Sequence, residues 1–387
     1  MGDLKGWLQT RRAQGQLRSL SPLHKGTAGH IRLTDEPGEL IDFSSNDYLG
    51  LSSHPALIAA ATEAISRYGT GSGAARLMSG NLAIHQELET AIAQLKGKEA
   101  GLTFGSGYMA NTGIIPALVG RHDLIFSDRL NHASIHDGCR LSGAKTIRFR
   151  HNDPAHLESL LKKKQENQTA LIVVESIYSM DGDRCPLPAL VELKNRYHCL
   201  LMVDEAHATG VYGANGGGII EEDGVGAGVD LAMGTFGKAL GSYGAYVAAS
   251  KEMIDYLINR ARSFIFSTAL PPAVAAASLA AVKLIRQEPE LRRELHDKVR
   301  FFKEALTKGG ISAELGPSQI IPILIGDSKK AVAIAQELRT LGLFVTAVRP
   351  PTVPEGTARL RFTITRLHQE DDLALAARLV CEKLSTN

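Results

Sequence analysis

Apolar residues recur along this chain in two rhythms. From Leu4 to Leu20 they follow helical spacing, with Arg11, Arg12 and Arg18 on the polar side. An extended segment over Glu39 to Phe43 runs into the polar turn Ser44-Ser45-Asn46-Asp47. Helical spacing returns from Pro55 to Tyr68 and from His85 to Leu95, on either side of the glycine-dense loop Gly69 to Gly73. The middle of the chain changes rhythm. Ala170 to Val174, Cys199 to Val203 and Leu231 to Met233 are short unbroken apolar runs, separated by helix-like stretches such as Leu187 to Tyr197. Strands of that kind, apolar on both faces and alternating with helices, predict a parallel sheet covered on both sides. Such sheets collect ligands at the carboxyl ends of their strands, and there this chain places Glu175, Asp204, Glu205 and Thr235. After Pro271-Pro272 one long helix is expected from Ala273 towards Leu306. An apolar run follows at Ile320 to Ile325, then a helix from Lys330 to Leu341. Strands over Phe344 to Val348 and Arg359 to Thr365 precede a last helix from Gln369 to Leu384. The reading is α/β: an N-terminal helix and extended segment over 1–45, a large domain with a mostly parallel sheet over 46–280, and a smaller α+β domain over 281–387.

Composition narrows the picture. The chain has 387 residues, more than one ordinary core holds, which agrees with two domains. Lys and Arg number 43 against 41 Asp and Glu, so no charge excess points to nucleic acid or a membrane surface. Cys139, Cys185, Cys199 and Cys381 form no Cys-x-x-Cys pair, which speaks for a reducing compartment and against a zinc ribbon. The opening residues lack the apolar core of a signal peptide, and the most apolar stretch, Leu270 to Ile285, is interrupted by Pro271, Pro272 and Lys283. A cytoplasmic protein is expected.

Chemistry concentrates around Lys238. Gly234-Thr235-Phe236-Gly237-Lys238-Ala239-Leu240-Gly241 places one lysine in a glycine-rich turn after a buried strand. Desolvation lowers a lysine's pKa and suits it to Schiff-base chemistry, although a lone loop lysine is ordinarily just solvated. Asp204 and His207 end the preceding strand. A carboxylate there can keep a pyridine nitrogen protonated, as pyridoxal phosphate requires, and it can equally cap a helix. Gly105-Ser106-Gly107-Tyr108-Met109-Ala110-Asn111 opens a helix whose first amides suit a phosphate. The same stretch satisfies Gly-x-Gly-x-x-Ala, with Asp123 near the distance expected of a ribose contact, so a dinucleotide reading stays open. His132 can stack on a ring. His132 and His136 are four apart, but no third ligand lies nearby and no metal is expected.

Four segments carry a family resemblance: Asp128-Arg129-Leu130-Asn131-His132-Ala133-Ser134, Glu175-Ser176-Ile177-Tyr178-Ser179-Met180-Asp181-Gly182, Val203-Asp204-Glu205-Ala206-His207 and Thr235-Phe236-Gly237-Lys238. Together, and in this order, they resemble the α-oxoamine synthases, which are fold-type I pyridoxal-phosphate transferases. The tail from Thr346 to Arg361 is similar to the branch of that family serving biotin biosynthesis. That branch joins L-alanine to a pimeloyl thioester, on CoA or acyl carrier protein, with loss of carbon dioxide. The resemblance implies catalytic roles for Lys238, His132, Asp204 and His207. Lys238 carries the cofactor, Asp204 meets the pyridine nitrogen, His132 stacks on the ring and His207 contacts the phenolic oxygen. Gly107, Tyr108, Ser179, Thr235 and Thr268 complete the cofactor contacts, and Arg18, Asn46, His132, Thr352 and Arg361 handle substrate. Ser267-Thr268 resembles a segment reaching a neighbouring subunit's phosphate, which implies a homodimer with shared sites. Gly73-Ala74-Ala75-Arg76 departs from the family's more frequent Gly-Gly-Ser-Arg, removing a hydroxyl from the substrate side.

Overall fold

The computed structural model describes residues 2–166, 168–311 and 315–385. Its strands are β1 (Leu23–Lys25), β2 (His30–Leu33), β3 (Leu40–Asp42), β4 (Ala100–Phe104), β5 (Leu124–Asp128), β6 (Lys145–Phe149), β7 (Ala170–Glu175), β8 (Leu200–Asp204), β9 (Leu231–Thr235), β10 (Ala245–Ala249), β11 (Ile320–Gly326), β12 (Leu343–Phe344), β13 (Thr346–Val348) and β14 (Ala358–Thr363). The chain divides into two compact units. One comprises Leu49–Tyr178 and Arg184–Arg292; the other comprises Met1–Tyr48, Ser179–Asp183 and Arg293–Asn387.

The larger unit is built on a seven-stranded sheet in the order β4-β10-β9-β8-β7-β5-β6. Pairing is parallel from β9 through β6, while β10 runs antiparallel to both β9 and β4. The central strands are buried, β7 along its whole length and β8 from Leu201 onward, because helices such as Gly107–Leu118 and Lys251–Arg260 cover the sheet. Ile114, Ile115 and Leu257 pack there against Leu102, Val173, Met202 and Met233. Burial on both faces removes the alternation an exposed sheet would show. The parallel strands all end on one side, and the turns that follow β7, β8 and β9 begin at Glu175, Asp204 and Thr235.

The smaller unit has a four-stranded sheet, β1-β2-β3-β12, and a three-stranded one, β11-β14-β13. Phe43, Phe302, Phe362 and His368 cluster there, with neighbouring ring centroids 4.6 to 5.7 Å apart and Phe43 stacked on Phe302 and His368. Burial holds the His368 imidazole neutral, its pKa lowered to about 4.

Three elements differ from the sequence reading, each for a local reason. The first helix stops at Ala13 rather than reaching Leu20, because Gly15 takes a left-handed conformation with φ 66°. The long helix after Pro271-Pro272 is two helices, Pro272–Gln287 and Glu290–Lys308. Pro289 offers no amide hydrogen and pushes Glu288 to φ −120°, ψ 75°. The single strand expected over Phe344 to Val348 is divided between two sheets: β12 pairs with β3 and β13 with β14. No helix among the described residues is long and apolar enough to cross a membrane.

Candidate active site

In the larger unit, charged and polar side chains converge at the carboxyl ends of β7 and β8. These strands pair in register, so Glu175 lies directly beside Asp204. Both are buried, 3% and 6% exposed. Two adjacent carboxylates in an apolar setting cannot both ionise cheaply. Burial and the neighbouring Asp204 carboxylate hold the Glu175 carboxyl well above the usual carboxylate range, which favours its neutral form. Glu175 Oε1 accepts a hydrogen bond from the His132 amide.

Asp204 is gripped at both oxygens. Oδ1 accepts from the Ala206 amide at 2.9 Å and Oδ2 from Asn111 Nδ2 at 3.0 Å. The capping contact and the side-chain contact therefore coexist. Asn111 Nδ2 gives its second proton to Ser134 Oγ at 2.9 Å, leaving that hydroxyl to donate onward to His132 Nδ1 at 2.8 Å. The Ser134 amide also donates to His132 Nδ1, at 3.2 Å, which makes His132 the cap of the helix Ala133–Ser142. With Nδ1 accepting, the network assigns the ring proton to Nε2. Burial and the Lys238 charge lower the His132 pKa, against the opposing pull of Asp204, in keeping with a neutral imidazole. His207, 5% exposed, stands in the turn that Asp204 begins. Lys238 is half-buried in the turn after β9, and its charge acts on both His132 and Glu175.

A cradle for a phosphate lies alongside. Gly107 and Tyr108 are the first residues of the helix Gly107–Leu118, capped by Ser106 Oγ accepting from the Met109 amide at 3.2 Å. First-turn amides have no partner inside a helix. Thr235 Oγ1 is buried without a hydrogen-bond partner. A Cβ placed on Gly107 would lie 2.8 Å from Thr235 Cγ2, so only glycine lets the loop come this close to the strand end. The donor set fits a phosphate monoester, and Asp204 and Lys238 fit the ring nitrogen and aldehyde of pyridoxal phosphate. The Tyr108 side chain points elsewhere: its hydroxyl donates to Asp137 Oδ2 at 2.7 Å. Thr268 pairs in an isolated bridge with Ala75. Asp123 accepts from the Gly120 amide at 2.8 Å, which closes an ordinary turn.

In the smaller unit, Arg361 is the prominent group. It is 8% exposed and gives its protons to Ser179 O at 2.7 Å, Thr363 Oγ1 at 2.7 Å and Asn46 Oδ1 at 3.2 Å. All three are neutral oxygens. Arg359, two residues earlier on the same strand, is paired instead with the Asp181 carboxylate. Among the described residues these hydrogen-bond partners of Arg361 carry no charge, which leaves its buried guanidinium suited to an anion. Arg18 donates to Thr352 Oγ1 at 2.9 Å.

Sequence reasoning assigned no role to Glu175, Asn111 or Ser134. The available signal was a strand-terminal carboxylate at Glu175 and a lone amide, Asn111, in a helix otherwise apolar on its inner face.

Residues 38–379 match the family described as aminotransferase class I and II. A solved structure described as SPT with PLP internal aldimine superposes with a TM-score of 0.92 at 29% identity, covering 100% of this chain and 98% of that one. The chain belongs to the class I and II aminotransferases and has the architecture of the fold-type I pyridoxal-phosphate enzymes. Within that class, curated relatives about half identical to this chain are named 8-amino-7-oxononanoate synthase. The 8-amino-7-oxononanoate synthase of Geobacter sulfurreducens is 52% identical over 377 residues, spanning 97% of this chain and 96% of that protein. The crystal structure of the enzyme of that name from Francisella tularensis covers 90% of this chain and 98% of its own, with TM-score 0.77 and 30% identity.

Proposed function

We propose that this chain is an 8-amino-7-oxononanoate synthase that uses pyridoxal phosphate to condense L-alanine with a pimeloyl thioester, releasing carbon dioxide and the free carrier. The observation that carries the reading is Asp204, held at both oxygens beside Glu175 at the strand ends and near the Lys238 turn, in a chain similar to proteins of that name. The bound cofactor supplies a conjugated cationic ring that takes up the electron pair left when the α-carbon of alanine loses its proton.

Each residue then has a task. Lys238 Nζ would hold the cofactor covalently, and its amine is the group that would take the α-proton of alanine and return one. Asp204 holds the proton on the ring nitrogen, and Asn111 and the Ala206 amide hold Asp204. His132 would pack against the cofactor ring, and its Nε2 proton would serve the substrate carboxylate or the thioester oxygen. His207 orients the cofactor through its phenolic oxygen. The amides of Gly107 and Tyr108, with Thr235 Oγ1, take the phosphate, and Ser179 lies in the cofactor contact set. Arg361, steadied by Asn46, takes the alanine carboxylate, for which a guanidinium fork is well shaped. Arg18 and Thr352 take the pimeloyl chain. The working form is a homodimer in which Thr268 reaches the neighbouring subunit's phosphate, and the enzyme acts in the cytoplasm. Leu77, Met78, Tyr243 and Phe266, 53 to 77% exposed, supply apolar surface suited to such an association.

The test is product analysis by mass spectrometry. L-alanine with pimeloyl-CoA should yield the nine-carbon amino ketone, and glycine with acetyl-CoA should yield little. Preference for the second pair would keep the family and move the chain to another branch.

A further inference from the structure

Joined to Asp204 through its neighbour Glu205 is a buried ion pair that the chemistry above does not use. Lys96, the last residue of the helix Ala83–Lys96, is buried completely at its ammonium. It spends three protons on Glu205 Oε2 at 2.8 Å, Thr209 Oγ1 at 2.8 Å and Gly217 O at 2.6 Å. Glu205 directly follows Asp204 and stands two residues before His207 in the strand-end turn. Its other oxygen accepts from the Ile220 amide at 3.0 Å, and its own amide donates to Met233 O at 2.7 Å, tying the turn to β9. Thr209 Oγ1 is also 2.7 Å from Tyr246 Oη, and Lys96 Nζ lies 5.5 Å from the centre of the Tyr246 ring.

Tyr246 in turn supports the other functional turn. It pairs in register with Gly234 across β9 and β10, and a Cβ on Gly234 would fall 2.3 Å from its hydroxyl. Its ring meets Phe236 at 5.3 Å between centroids. One connected network therefore backs both Asp204–His207 and Thr235–Lys238. Burying an ion pair costs more desolvation than an apolar pair of the same size, so stability alone is a poor reason to place one there. Geometry is a better one, because a fully satisfied buried polar network holds its members in one arrangement.

We infer that Lys96, acting through Glu205, Thr209 and Tyr246, is a positioning residue that sets the relative placement of Asp204, His207 and Lys238 for the proton transfers at the cofactor. The inference rests on the pyridoxal-phosphate reading above, and wild-type protein tests that reading separately by forming the covalent cofactor adduct.

The experiment uses holoenzyme of two variants. Lys96→Met alone would strand the Glu205 carboxylate, so the first is Lys96→Met combined with Glu205→Gln, which removes both charges and keeps an acceptor for the Ile220 amide. The second, Tyr246→Phe, deletes a single hydroxyl and spares the fold. In each the visible absorption of the cofactor adduct is titrated with pH, cofactor affinity is measured on the apoprotein, and kcat and KM for L-alanine are separated. The expected result is a displaced adduct titration and a kcat lowered about 10- to 100-fold in the double variant. KM should stay near the wild-type value, and Tyr246→Phe should show a smaller displacement in the same direction. Should the double variant not fold, the Tyr246→Phe titration decides alone. A wild-type titration and wild-type kcat in the folded variants, with only thermal stability altered, would overturn the inference and leave Lys96 a structural residue.

Discussion

At the scale of single residues, the account turns on protons. Replacing Lys238 with Ala removes the only group assigned to the α-proton. Turnover should vanish while pyridoxal phosphate still binds non-covalently, which equilibrium dialysis and product assay measure together. Arg361→Lys loses the planar fork, and the KM for L-alanine should rise about 30-fold, roughly 2 kcal/mol for hydrogen bonds to a charged group. Glu175 makes the sharpest case. Its pKa is raised in the folded chain by burial and by Asp204, so between its unfolded and folded values the native state binds more protons. Stability from this residue is therefore lost as pH rises through that window. Glu175→Gln should match the wild type in acid and be at least as stable at neutral pH. Glu175→Ala, which strands the His132 amide, should lose about 1–3 kcal/mol. Denaturant titrations across pH separate these outcomes, and equal pH slopes in wild type and Glu175→Gln would contradict a protonated Glu175. The sequence displayed Lys238, Asp204, His207 and His132 through their motifs. It could not display that Glu175 and Asp204 share a register, because pairing between strands joins residues 29 positions apart.

At the scale of elements, unbroken apolar runs were a sound guide to the central strands, since burial on both faces leaves no other pattern. Boundaries were harder to read where one backbone geometry overrode periodicity, at Gly15 for the first helix and at Pro289 for the long one. The split of the strand near Val345 was invisible for a different reason: alternation reports which side a residue faces, not which sheet receives it. The Gly107–Leu118 helix allows a test at this scale. Gly107→Ala would press a methyl group into Thr235 and push the loop from the strand end. Cofactor affinity should fall at least tenfold, about 1.4 kcal/mol, while the melting temperature of the apoprotein changes little. Unchanged affinity would place the phosphate elsewhere.

At the scale of the whole molecule, the residues proposed for the site fall in both units: Asp204, His132 and Lys238 in the sheet unit, and Arg361, Asn46, Arg18 and Thr352 in the second. The second unit draws its residues from three separate stretches of chain, an arrangement that hydropathy along a sequence cannot reveal. Sedimentation equilibrium should give a dimer, and a monomer that retains full activity would remove the shared-site reading of Thr268. The central claim, that Lys238 carries the cofactor, is tested most directly by reducing the holoenzyme with borohydride, digesting it and locating the modification by mass spectrometry. The account predicts one phosphopyridoxyl group, on Lys238. A group on any other lysine, or none on a protein saturated with pyridoxal phosphate, would contradict it.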